Sequence, residues 1–277
     1  MMFDLICNTI RFINKNSKFN NDNRMEYLEK GYLEKDKSFN QEILSKANKL
    51  IFNLKLNDIK TQAIKENNKC YSVDLLNFIN PDKKRDFFCF IKKTYQPFIN
   101  QILAMNTELK LIKINYNFYN ENSKLEGAKL FHRDGDTFGE QIKVFLPMTD
   151  INENNGMFYF IPNKKINKNS VIISDFQDTG VKRKARLTDF KMSKYVNEKD
   201  IKTINSDGNS LILDTQNTYH KGGNILNQSA FRIMIFIVFT PKLTFTKYSE
   251  NYKNSKIYNF LFRVFITLAE ISKKKLN

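Results

Sequence analysis

The chain contains only two histidines, His132 and His220, and the residues around them suggest metal chemistry. The first sits in Phe131-His132-Arg133-Asp134-Gly135-Asp136, at the end of a segment whose composition predicts a strand. On a strand, side chains at i and i+2 project to the same side. His132 and Asp134 would therefore offer an imidazole nitrogen and a carboxylate oxygen to one ion, with Arg133 pointing away. His220 directly follows a second predicted strand, in the run SLILDTQNTYHKGG, where a barrel can return it beside the first pair. Two imidazoles and one carboxylate on one face of an iron leave three adjacent positions open. That is room for a chelating 2-oxo acid and for dioxygen. No further histidine exists to form a competing set.

Arg232 adds a separate signal. In AFRIMIFIVF, alternation puts Arg232, Met234, Phe236 and Val238 on one face and Phe231, Ile233, Ile235, Ile237 and Phe239 on the other. Both faces are apolar, and a buried charge without a partner is strongly unfavourable, so the guanidinium needs an anion. Two anions fit this requirement: the distal carboxylate of 2-oxoglutarate, gripped by two parallel hydrogen bonds, or a protein carboxylate such as Asp214.

Elements must bring these residues together. Before residue 109 the spacing is mainly helical. Phe39, Ile43, Leu44, Ala47, Leu50, Ile51 and Leu54 recur at helical intervals, with Ser38 placed to cap the start. A second helix is expected from Pro81 to Met105, kinked or divided at Pro97. From Leu109 the pattern changes to short segments rich in Ile, Val, Phe and Tyr: LKLIKINYNFYN, KLFHRD, IKVFLPMTD, GMFYFIP, SLILDT and AFRIMIFIVFTP. Short strands with few helices between them favour an antiparallel barrel or jelly roll over a parallel α/β sheet. The expected architecture is mainly β with flanking helices, in one domain. A helical leader (1–108) covers one face of a β core (109–245) that carries a basic insertion (163–202), and a C-terminal helix follows (246–277). The insertion is either a substrate-selecting lid or a solvated excursion.

Composition sets outer bounds. With 277 residues, 41% hydrophobic and 13% aromatic content, the chain can bury one substantial core. A net charge of +16 raises the local concentration of anions, but the lysines are scattered and no specific nucleic-acid partner is expected. Cys7, Cys70 and Cys89 form no CxxC pair, which fits a reducing compartment and supports neither a thiolate zinc site nor a disulfide framework. Asp4 and Arg11 spoil any export signal, and no apolar run reaches the ~18 residues of a membrane span. A cytoplasmic protein is expected. The apolar C-terminal run ending in Lys273, Lys274 and Lys275 either packs on the core or makes peripheral contact with a membrane surface.

The ordered set of FHRDGD, IKVFLPMTDINENNGMFYFIP and the terminal His220 with Asn224, Asn227, Ser229 and Arg232 downstream resembles the phytanoyl-CoA dioxygenase-like branch of the Fe(II)/2-oxoglutarate-dependent oxygenases. The likeness spans roughly residues 109 to 241. It implies a cupin-like double-stranded β-helix, with His132, Asp134 and His220 as catalytic iron ligands and Arg232 as the anchor of the co-substrate 2-oxoglutarate. Tyr116, Asn117 and Lys143 are candidates for the remaining co-substrate contacts. The implied activity is hydroxylation of a small organic substrate, with O2 consumed, succinate and CO2 released and ascorbate serving as reductant; the basic insertion points to an anionic substrate and the terminal helices to a lipid-linked one. Aspartate at 134 favours hydroxylation, because halogenating relatives carry a small residue there. Val238 stands where nucleic-acid demethylases carry a second arginine. Two departures stand out: Asn163-Lys164-Lys165 replace a frequent Gly-Ser-His, and Gly222 replaces a small hydroxyl residue. The alternative reading is an inactive barrel that binds a ligand or an anionic surface without turnover.

Overall fold

The computed structural model describes residues 22–241, except for 105, 124–126, 135–140, 163–164, 167–185, 205–207 and 216–217. The C-terminal helix expected over 246–277 and most of the basic insertion lie outside the described residues.

Alternating apolar residues after Leu109 give strands with two buried faces, and this decides the layering. The strands are β1 (Tyr32–Lys35), β2 (Ser72–Asp74), β3 (Thr107–Phe118), β4 (Ile142–Pro147), β5 (Phe158–Ile161), β6 (Lys202–Ile204), β7 (Ser210–Asp214), β8 (Tyr219–Gly222) and β9 (Phe231–Pro241). They form a larger antiparallel sheet in the order β1-β7-β4-β9-β3-β2 and a smaller one in the order β6-β5-β8. Paired backbone bridges add Phe131 and His132 beside the smaller sheet, opposite Leu187 and His220. From Thr107 onward the chain therefore winds back and forth. β3 lies in the larger sheet, residues 131–132 join the smaller, β4 returns to the larger, β5 and β6 lie in the smaller, and β7, β8 and β9 alternate again. This winding is that of a double-stranded β-helix, the jelly-roll solution to burying two sheets against each other.

The two faces of the larger sheet have different jobs. Ile112, Ile114, Val144, Ile235 and Ile237 point outward into a core shared with the helices, where Ile91, Tyr95 and Ile99 are fully buried. Phe145, Leu211, Leu213 and Met234 point inward and meet Phe158, Phe160 and Ile204 of the smaller sheet. The helical layer consists of α1 (Asp22–Lys30), α2 (Lys37–Ile51), α3 (Leu56–Glu66) and α4 (Pro81–Leu103), with a short α5 (Asp189–Met192) later in the chain.

Three local expectations are corrected. α2 begins at Lys37 and is capped by Asp36, whose carboxylate accepts from Phe39 N at 3.1 Å, so Ser38 is not the cap. α4 runs unbroken through Pro97. An interior proline costs about 3 kcal/mol, less than is gained by burying Tyr95, Ile99, Ile102 and Leu103 around it. The leader also contains β1, which pairs along the edge of β7. Within the insertion, Leu187, Met192 and Val196 pack against Phe131, Ile161 and Tyr219, so its described part belongs to the core. No helix among the described residues is long and apolar enough to cross a membrane.

Ile235 lies on the central strand between β3 and β4 and is completely buried. Ile235→Ala should lower the unfolding free energy by about 2–5 kcal/mol, read from the urea midpoint.

Candidate metal centre

The two imidazoles meet because their backbones are paired. His132 N donates to His220 O at 3.0 Å and His220 N donates to His132 O at 2.9 Å. Directly opposed residues of an antiparallel pair project to one side, and the ring centroids lie 4.4 Å apart. Asp134 N donates to Thr215 O at 2.9 Å, which ties the third residue to the segment entering β8. Arg133 turns away, its guanidinium carbon 5.4 Å from the centroid of Tyr219.

Asp134 Oδ1 lies 3.9 Å from His132 Nε2, and Oδ2 lies 3.7 Å from His220 Nε2. One donor atom from each residue falls within a cluster no wider than 4.8 Å. An ion with bonds of about 2 Å spans about 4 Å between opposite donors, so small side-chain shifts would close this set around a cation. The imidazole tautomers agree with that use. His132 Nδ1 is 2.8 Å from Leu130 O, and His220 Nδ1 is 3.1 Å from Thr218 O. A carbonyl can only accept, so each Nδ1 carries the proton and each Nε2 presents its lone pair inward.

Electrostatics hold the three groups in their ligand forms. Burial pushes both imidazoles below their ordinary pKa, and at His220 the neighbouring His132 adds to the effect. Burial alone would raise the Asp134 carboxyl, but the Lys143 ammonium at 2.7 Å from Oδ2, together with His220 and a hydrogen bond from Thr215, outweighs it and holds the group well below the usual carboxylate range. Two neutral imidazoles and a carboxylate are what a divalent cation requires. Phe145 and Phe158 flank His220 at 5.7 and 5.8 Å between centroids.

The centre opens into a cavity of about 320 Å³ whose lining includes all three residues together with Asn117, Lys143 and Arg232. Arg232 faces Asn117 across the β3–β9 ladder. The arginine is 5% exposed, its Nη1 donates to Gly156 O, and its Nε has no partner among the described residues. Asn117 Oδ1 is likewise buried without a partner. Among the described residues no carboxylate, Asp214 included, pairs with Arg232. Burial lowers its pKa to about 10, so it is cationic at neutral pH. A buried cation on the cavity wall, with an Nε–H unmet among the described residues, fits a ligand carboxylate, whereas Asn117 Oδ1 beside it can only accept and calls for a donor.

The glycine at 222 also has a reason. A Cβ there would stand 3.1 Å from Arg232 Nη2, and one at Gly156 would stand 3.2 Å from Nη1. The guanidinium fills the space that a hydroxyl residue at 222 would need. Gly156, at φ +87°, is a part of this cradle that the sequence reading missed, although its Asn-Asn-Gly context signals a turn.

Lys143 lines the cavity with its ammonium engaged by Asp134. Tyr116 is a correction. It stands opposite Ile233 and belongs to the outward core with Ile114 and Ile235, stacked 5.3 Å from Phe118 and 5.8 Å from Phe231. It is on the wrong face to touch a ligand in the cavity.

No family model matches this sequence, and no curated protein matches it. Among solved structures, it is similar to the non-heme alpha ketoglutarate dependent epimerase SnoN from nogalamycin biosynthesis (13% identity over 79% of this chain and 82% of that one, TM-score 0.48). It is also similar to HygX from Streptomyces hygroscopicus, solved with nickel and 2-oxoglutarate bound (8% identity, 81% and 87% covered, TM-score 0.47). A third is the carbocyclase SnoK from nogalamycin biosynthesis (8% identity, 82% and 85% covered, TM-score 0.47).

The depressed pKa values have a measurable consequence. In the unfolded chain the two histidines titrate near 6.5 and Asp134 near 3.8, and each binds its proton more weakly when folded. As pH falls below 6.5 the unfolded state takes up more protons, so folding stability drops. The metal-free protein should melt at progressively lower temperature from pH 7 to pH 4.5, beginning near 6.5. A melting temperature flat down to pH 5 would contradict the assignment of neutral, buried imidazoles.

Proposed function

We propose that this chain is an Fe(II)/2-oxoglutarate-dependent oxygenase that hydroxylates a small organic substrate. The reading rests on one observation: two neutral imidazoles and a carboxylate converge at a cavity that is also lined by a buried arginine with no counter-ion among the described residues. In this reading His132 Nε2, the Asp134 carboxylate and His220 Nε2 hold the iron. Bound there with 2-oxoglutarate, the iron would supply the activation of dioxygen needed to attack an unreactive C–H bond, with succinate and CO2 as by-products.

The protein's own contributions are orientation and exclusion. The carbonyls of Leu130 and Thr218 fix the tautomers of the two imidazoles, so no proton has to leave Nε2 before a cation binds. Lys143 keeps Asp134 ionised and holds one of its oxygens in place. Arg232, braced from behind by Gly156 O, directs its remaining donors toward the co-substrate carboxylate, with the Asn117 side-chain amide beside it. Phe145, Phe158 and Phe236 form an apolar floor that limits water near the reacting atoms. A carboxylate at position 134, where a halide would need room, favours hydroxylation over halogenation. The phytanoyl-CoA dioxygenase-like branch is the family we favour, on the sequence resemblance.

Incubation with Fe(II), ascorbate and 2-oxoglutarate should release succinate even without substrate. Asp134→Ala and His132→Ala should abolish that release while leaving the far-ultraviolet circular dichroism unchanged. Arg232→Ala should mainly raise the 2-oxoglutarate concentration needed, by about tenfold or more, and Gly222→Val, which crowds the guanidinium, should act in the same direction. Succinate release that survives Asp134→Ala would overturn the reading.

A further inference from the structure

Along β3, side chains two apart share a face, and Lys113, Asn115 and Asn117 all line the cavity. Their partners in β9 are Phe236, Met234 and Arg232. Lys113 thus stands four residues along β9 from the arginine, about 13 Å at a strand's rise. Across the neighbouring ladder, Ser72 of β2 stands opposite Asn117 and lines the same wall. This wall offers an ammonium, amides and a hydroxyl. The lining also has apolar members, among them Phe145 of β4, Phe158 of β5 and Val238 of β9.

The charge of the lining is one-sided. Among the described lining residues, Lys113, Lys129, Lys143 and Arg232 stand against one carboxylate, that of Asp134. A divalent iron and a doubly charged 2-oxoglutarate cancel each other and leave this excess untouched. Lys143 is held by Asp134, Arg232 is assigned to the co-substrate, and Lys129 donates to Ser123 Oγ at 2.7 Å and lies 4.3 Å from the centroid of Tyr71. Lys113 makes no ion pair with any described residue. A half-enclosed cavity with surplus cations concentrates and orients anions.

We propose that the substrate is a small hydrophilic organic anion, bearing a phosphate or a carboxylate, and that Lys113 binds its anionic group against the polar β2–β3 wall. The inference rests on the oxygenase reading above and adds a substrate class to it. Lys113 acts as a specificity residue: it selects the charged end of the molecule and has no part in holding the iron or the co-substrate. An uncharged acyl chain would leave the ammonium and amides of this wall unsatisfied.

The test uses the full chain loaded with Mn(II) and saturating 2-oxoglutarate, titrated by calorimetry with inorganic phosphate and separately with acetate, against sodium chloride at equal ionic strength. One of the two anions should bind with one-to-one stoichiometry, and the choice distinguishes phosphate from carboxylate. Lys113→Gln should weaken that binding by about tenfold or more, and Lys113→Arg should restore most of it, with Mn(II) and 2-oxoglutarate affinities unchanged in both variants. If the wild type binds Mn(II) and 2-oxoglutarate but neither anion, or if chloride serves equally, or if Lys113→Gln binds like the wild type, this proposal falls and the oxygenase reading stands. If Mn(II) and 2-oxoglutarate themselves fail to bind, that reading falls first and takes the substrate assignment with it.

Discussion

The pair of backbone hydrogen bonds between His132 and His220 is the constraint on which the rest of the structure depends. These residues are far apart in the chain, and only the return of β8 alongside residues 131–132 makes them neighbours. That return needs a winding in which successive strands change sheets, and the winding needs two apolar faces on the larger sheet, one toward the helices and one toward the smaller sheet. A shift of register by one residue between these segments would turn one imidazole to the other face and separate the donors. The helical layer, remote from any chemistry, helps prevent this by packing the outward faces of β3, β4 and β9.

Polar burial around this bridge is costly and has visible compensation. Both Nδ1–H groups meet carbonyls, and the Asp134 carboxylate meets an ammonium and lies beside Nε2 atoms. Among the described residues, two of the four buried side-chain atoms without a hydrogen bond, Arg232 Nε and Asn117 Oδ1, belong to residues that line the cavity. A native interior leaves few such groups unmet, and two from facing residues of one ladder are best explained by a molecule that binds there. The centre and the arginine thus have complementary chemistry: one suits a cation, the other an anion.

Much of this was legible in the sequence, for physical reasons. Two histidines in the whole chain left a single ligand set to consider, and period-two alternation placed Arg232 on the same face as Phe236 and Val238, where it lies. Alternation also contained the answer to the misplaced Tyr116. It is adjacent to Asn117, and in a regular strand two neighbours cannot face one cavity. What alternation could not show is which of the two faces inward, because the register of β3 against β9 is set by the whole sheet. β1 was illegible for a related reason: four residues carry little periodic signal, and pairing with β7 rather than propensity makes them a strand. The segment 131–132 reads as a strand in composition but is held only by isolated bridges. Gly222 could be recorded as a departure from a pattern, but its cause, the guanidinium pressed against it, needed coordinates.

The central claim is that three side chains share one divalent cation. Stripping the protein with a chelator and titrating it with Co(II), followed by visible absorption, tests it most directly. The account predicts saturation at one Co(II) per chain, a spectral change when 2-oxoglutarate is added, and loss of the high-affinity site in His220→Ala. Full-affinity binding retained in His220→Ala, or no stoichiometric site in the wild type, would contradict it.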